Sequence, residues 1–193
     1  MRRWFVPLLL ALGSIAAGPP PAKKKPEPPP LPPLNAKVVD FARAHVGRPV
    51  GDGICITLAA EALKVAGARP VRFGDREGNY TWGRLVDDPK DVLPGDILQF
   101  RDAVFDGKRY VTRRRYVTWH QEYPHHTAVV VKVEDGGKTL TVLHQNVALE
   151  GRPESEKGNV KENELRMDSL QKGGWVKAYR PEPPAPPGTD DPG

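Results

Sequence analysis

The sequence predicts an α+β domain in which N-terminal helices pack on an antiparallel β-sheet, and three observations carry that expectation. Apolar residues recur at three- and four-residue spacing between Asn35 and Gly67. Beyond that point they recur at period two or in short β-branched runs. Helices come first and strands follow, joined by turn-rich segments, which is the order expected when helices segregate to one side of an antiparallel sheet.

Before the first helix, Arg2 and Arg3 precede an apolar stretch from Trp4 to Ala17, with Ser14 and Ala16 spaced like a signal-peptidase site. Residues 1–17 therefore read as an export signal, and the protein is expected to be exported, to the periplasm, the cell envelope or the medium. Of the 22 prolines, nine lie between Pro19 and Pro33 and six between Pro181 and Pro192. Residues 18–34, which include Lys23, Lys24 and Lys25, read as a semi-rigid polyproline spacer, and residues 183–193 as a proline-rich disordered tail. One domain, residues 35–182, stands between them.

Asn35 is the expected N-cap of a helix carrying Val38, Val39, Ala42 and Val46, with Gly47 as its stop. A second helix, Ile54 to Ala66, places Leu58, Ala59, Ala62, Leu63 and Ala66 on one face, with Gly67 ending it. Cys55 then lies in its first turn. Strands are expected at Ile97–Phe100 after the turn Leu93-Pro94-Gly95-Asp96, at Thr127–Val133, at Thr139–Leu143 and at Trp175–Tyr179. A three-residue loop at Asp135, Gly136 and Gly137 would pair Ala128 with His144 and His126 with Asn146. His126, His144 and Asn146 would share one face, and a two-residue shift would keep them together. Val104 to Pro124 is the longest stretch without a core pattern and is the candidate lid.

Composition excludes several classes. No apolar run approaches the ~20 residues that span a bilayer, and one cysteine excludes an intramolecular disulfide framework. The formal charge of +5 falls to +3 once Arg2 and Arg3 are removed, so no nucleic-acid partner is expected. Arg113-Arg114-Arg115, flanked by Tyr110, Tyr116 and Trp119, reads as a solvated strand or loop, with an anionic cell-envelope polymer preferred over nucleic acid. His120, His125, His126 and His144 lack the spacing of an HExxH or paired-cysteine site. No metal and no other cofactor is expected, and the chain is expected to be a monomer.

A lone cysteine in an exported chain is a structural remnant, an intermolecular disulfide partner or a reactive thiol. At a helix N-terminus the free amides and the macrodipole favour the thiolate, so the Cys55 thiol is expected below its usual ~8.5. A thiolate nucleophile needs a base within reach, and the base needs an orienting partner. His126 is the candidate base, and Asn146 or His144 its orienter. Asp52, Gly53 and Trp82 are candidates for substrate binding: the glycine-rich turn leaves room for a substrate backbone, and Trp82 is core or pocket wall.

These residues carry a family resemblance. Gly51-Asp52-Gly53-Ile54-Cys55 leading into Leu58-Ala59, Pro94-Gly95-Asp96-Ile97, His126-Thr127-Ala128-Val129-Val130 and Leu143-His144-Gln145-Asn146 resemble the CHAP and NlpC cysteine peptidase/amidase superfamily. The nearest likeness is to a cysteine-proteinase-fold domain of fungal actin-patch proteins, through Trp82-Gly83, Gln99-Phe100-Arg101-Asp102-Ala103, His125-His126-Thr127 and Tyr179-Arg180-Pro181. The resemblance implies a papain-like core, with Cys55 as nucleophile and His126 as general base. It implies Asn146 as a papain-like orienter, or His144 in the NlpC manner. Ile56 replaces the bulky aromatic that often follows the nucleophile, and Ile54 the aspartate that precedes it in NlpC-type domains. The activity implied is hydrolysis of an amide bond in a peptide or a peptidoglycan stem, with cell-envelope association. The alternative is a non-catalytic binding module of the same fold.

Overall fold

The helix carrying the cysteine forms because one stripe of it is apolar. In a computed structural model that describes residues 29–74, 78–148 and 153–186, α2 spans Cys55–Ala66 and buries Leu58, Ala59, Ala62, Leu63 and Ala66. Gly67 closes it in the left-handed conformation. The expected export signal at 1–17, most of the expected spacer and the end of the expected tail lie outside the described residues. From Leu31 onward the chain folds as one unit.

Helix α1 runs Pro33–Ala44, which corrects the expectation at both ends. Proline at the first helical position has no amide to lose and a φ already suited to the helix, so the helix begins inside the expected spacer. Asn35 is then an interior residue, fully buried, whose side-chain amide donates to the Pro94 carbonyl at 2.9 Å and to Asp96 Oδ1 at 2.8 Å. An asparagine that could cap its own helix instead ties α1 to the turn before the third of the expected elements. At the C-terminal end the cap is His45 rather than Gly47.

A short ribbon, β1 (Arg72–Phe73) with β2 (Tyr80–Thr81), precedes the main sheet. The sheet consists of β3 (Arg84–Val86), β4 (Ile97–Tyr110), β5 (Tyr116–Glu134), β6 (Thr139–His144), β7 (Lys161–Arg166) and β8 (Trp175–Arg180), antiparallel in the order β3-β8-β4-β5-β6-β7. Strand alternation divides its core. Ile97, Val129, Leu143 and Tyr179 pack against α1 and α2, while Leu98, Phe100, Ala128, Val130, Val142 and Ala178 bury on the opposite face.

Two strands extend beyond expectation. Val104 to Pro124 is no lid loop but the outer half of the β4–β5 hairpin, paired out to Tyr110↔Tyr116. Phe105 and Tyr123 are buried in the second core, so the pattern is present but spaced across two strands. Pro124, which lacks a donor, faces Asp102, whose φ of +47° interrupts the ladder between Arg101↔His125 and Ala103↔Tyr123.

The β5–β6 register reaches the expected end by a different route. Glu134 pairs with Thr139, one residue beyond the three-residue loop, and an irregularity between Val130 and Lys132 removes that offset. Val130 therefore faces Val142 and Val129 faces Leu143, the register anticipated at this end.

Candidate active site

Cys55 is the first residue of α2 and is half-buried. The turn that delivers it is organised by Asp52, whose Oδ1 accepts from the Ile54 amide at 3.1 Å and the Thr57 hydroxyl at 2.7 Å. Those two donors, the hydroxyl foremost, hold the exposed Asp52 carboxyl below its ordinary value. Asp52 thus braces the turn that enters the cysteine helix, whose N-cap is Ile54. Burial pushes the Cys55 thiol up, the opposite of the expected direction. The amides of Thr127, Ile56 and Cys55 at the sulfur oppose that rise, and the Asp52 charge adds to it. Desolvation outweighs the helix terminus here because the thiol sits between α2 and the sheet.

Thr127 follows His126 on β5, so its amide fixes the sulfur next to the His126 peptide. The two side chains lie on opposite faces of β5: the sulfur sits with Thr127 on the side of α1 and α2, while the His126 ring packs with Phe100 and Tyr123 on the other. His126 is 4% exposed, and its Nε2 lies 3.1 Å from Nδ1 of the fully buried His144. Tyr123 stacks on the His126 ring at 5.1 Å and Phe100 packs against it at 5.7 Å. Burial, with a smaller contribution from His125, pushes His126 down to about 3. His144 is held well below its usual range by burial, then by His126 and by Lys161. Lys161 faces His144 across β6 and β7 and donates to the Val147 carbonyl at 3.0 Å. Nε2 of His144 is buried without a partner.

Of the two candidate orienters, His144 is the one that contacts His126. Asn146 was expected directly opposite His126, but β6 ends at His144, and Asn146 is exposed in the left-handed region at φ +61°. Leaving the strand turns its side chain away from the pairing that register alone would impose. It borders a cleft of about 620 Å³ beside His126, walled by Tyr123, His125 and Asn163 of the sheet. That cleft opens from β5 and residues 146–148 rather than from α2.

Two of the expected substrate-binding residues have structural partners instead. Trp82 is fully buried and donates from Nε1 to Gln99 Oε1 at 3.0 Å. Gly53, at φ +78°, is buried against Gly158, where a Cβ would come within 3.2 Å of the Gly158 Cα. The close backbone approach that glycine permits is made by the chain itself.

Residues without a sequence assignment complete the site. Gln99 donates from Nε2 to the His126 carbonyl at 3.1 Å, and its Oε1 accepts from the Thr127 hydroxyl at 3.3 Å. Gln145, fully buried, accepts from the Val50 amide at 3.0 Å and donates to the carbonyls of Val50 at 3.0 Å and Ile54 at 2.7 Å. Alternate side chains of the dipeptide His144-Gln145 therefore contact His126 on one face of the sheet and the cysteine turn on the other. Both glutamines lie inside the motifs that carry the family resemblance, which was the available signal.

The model of the AIM3/BBC1 cysteine proteinase-fold domain matches residues 34–185. The chain belongs to this family. No curated protein and no solved structure matches it. The two helices on an antiparallel sheet are accordingly those of a papain-like cysteine-proteinase fold, related to that of fungal actin-patch proteins.

Proposed function

We propose that the domain is a thiol hydrolase acting on an amide bond, in a peptide or a peptidoglycan stem, with Cys55 as nucleophile, His126 as base and His144 positioning the base. The observation that carries this reading is Cys55 at the first turn of α2 in a cysteine-proteinase-fold domain, its sulfur held by the amide of Thr127, the residue after His126 of the buried His126–His144 pair. Nδ1 of His126 is then the nitrogen left to take a proton. Both groups rest neutral, since burial raises the thiol and lowers the imidazole. Transfer of the proton from Sγ to Nδ1 as sulfur bonds to the carbonyl carbon requires the His126 ring to reach the cysteine face of β5 from the opposite face, on which it rests against Phe100 and Tyr123. His126 returns the proton to the leaving amine, and water hydrolyses the thioester.

A binding module without turnover is favoured by one feature: among the described residues no carboxylate accompanies the histidine pair, and Lys161 adds a positive charge beside it. The decisive comparison is hydrolysis of muropeptides and of a mixed peptide library by the parent chain and by Cys55→Ser. Loss of product release with an unchanged circular dichroism spectrum supports the enzyme. Equal activity in the two removes the thiol mechanism, and inactivity of both with retained ligand binding supports the module. The residues at 1–17 support export, and a peptide or cell-wall substrate in the envelope follows from it; fractionation of cells expressing the full chain tests that step.

A further inference from the structure

The outer end of the β4–β5 hairpin takes no part in the site. β8 accompanies β4 only over Ile97–Arg101, and β6 accompanies β5 only over Val129–Glu134. From Gly107 to Trp119 the two strands have no neighbouring strand among the described residues. This arm carries Lys108, Arg109, Arg113, Arg114 and Arg115 and no acidic residue. None of the five is paired with a carboxylate among the described residues. The nearest acids along the arm, Asp106 and Glu122, face His120 at 3.9 and 3.0 Å.

A purely solvated arm would be polar, yet this one leaves Tyr110 61%, Val111 52%, Tyr116 59% and Val117 42% exposed. The tyrosines do not offer open faces for stacking bases. They meet edge to face at 5.8 Å, and the Lys108 ammonium lies 5.6 Å from the Tyr110 ring centre. A dissolved polyanion would answer the charges and leave the valines in water. A bilayer answers both, because tyrosine rings favour the interface and arginine stems reach from apolar surroundings to charged headgroups.

We propose that the hairpin tip is a docking surface for a bilayer carrying anionic lipid. The arginines lie at headgroup level, and Tyr110, Val111, Tyr116 and Val117 enter the interface. The contact is peripheral, since no helix among the described residues is long and apolar enough to cross a membrane. Each cation near such a surface strengthens binding about fivefold.

The test places an environment-sensitive dye on Thr118→Cys in the full chain carrying Cys55→Ser, so that the arm itself is read and not the apolar stretch at Trp4–Ala17. Vesicles with one-third phosphatidylglycerol should shift the emission to the blue. Pure phosphatidylcholine should not, and about 1 M salt, which screens beyond about 3 Å, should abolish the shift. Replacing all three arginines (Arg113→Gln, Arg114→Gln, Arg115→Gln) should weaken anionic-vesicle binding on the order of 100-fold. The pair Tyr110→Ser and Val111→Ser should reduce the blue shift with the charges intact. An unmoved emission, an equal response to neutral vesicles, or unchanged binding by the arginine variant overturns the proposal. A response to dextran sulfate or single-stranded DNA that matches the vesicle response reassigns the tip to a dissolved polyanion.

Discussion

Burial keeps the His126–His144 pair neutral, and among the described residues no carboxylate meets it. For His126 to accept a proton on Nδ1, its own hydrogen must sit on Nε2 and be donated to His144 Nδ1, which leaves the His144 hydrogen on the unpartnered Nε2. Either tautomer leaves His144 Nε2 unsatisfied, as a donor in this one and as an acceptor in the other, and such a buried group costs about 1–3 kcal/mol. His144→Ala should therefore lower turnover more than Asn146→Ala, measured as kcat/KM on whichever amide substrate the chain hydrolyses. A larger defect in Asn146→Ala would mean that substrate binding brings residue 146 back onto the strand. The raised thiol makes a second prediction. Iodoacetamide labelling of Cys55 should climb only above its ordinary range near 9, and a labelling midpoint below that would show that the helix terminus outweighs burial.

At the scale of elements, the site is a joint between the cysteine turn and the end of β6, and Gln145 is its pin. Gln145→Ala leaves the Val50 amide and the carbonyls of Val50 and Ile54 without partners. About 3 kcal/mol should be lost in urea unfolding, and turnover should fall although neither Cys55 nor His126 is touched; Gln145→Ala with unchanged stability would remove the pin. Gly53→Ala forces an L side chain to φ +78° against the Gly158 backbone and should cost about 2 kcal/mol. The helix stripe, the apolar runs and the order of elements were legible because each is a local pattern. The charged edge strand Lys161–Arg166 was not, since only Lys161 and Leu165 of it are buried. The β5–β6 register was legible only at the site, because a longer loop and a compensating irregularity cancel and neither leaves a distinct sequence mark. The surroundings of Asn146 and Trp82 were not legible for the same reason: contact across the fold decides whether such a residue faces substrate or protein.

At the scale of the whole molecule, the neutral pair ties stability to pH. An unfolded histidine takes up a proton near its ordinary 6.5, whereas burial holds His126 down to about 3 and His144 well below its usual range. As pH falls below that ordinary value the unfolded state binds protons that the native state refuses, so stability declines toward the folded values. Each group contributes about 1.4 kcal/mol per pH unit across this window. Between pH ~7.5 and ~4.5 His126 alone should remove about 2–3 kcal/mol, and His144 adds to the loss in the same direction. The carboxyl of Asp52 acts in the same sense but only below its ordinary 3.8, which leaves the upper part of the window to the histidines. Urea unfolding across that range should therefore give a steep slope in the parent chain and roughly half of it in His144→Leu. A flat parent profile would mean that the folded pair already holds a proton; the resting site would then contain an imidazolium beside Lys161, and the neutral-pair route to attack by Cys55 would fall with it.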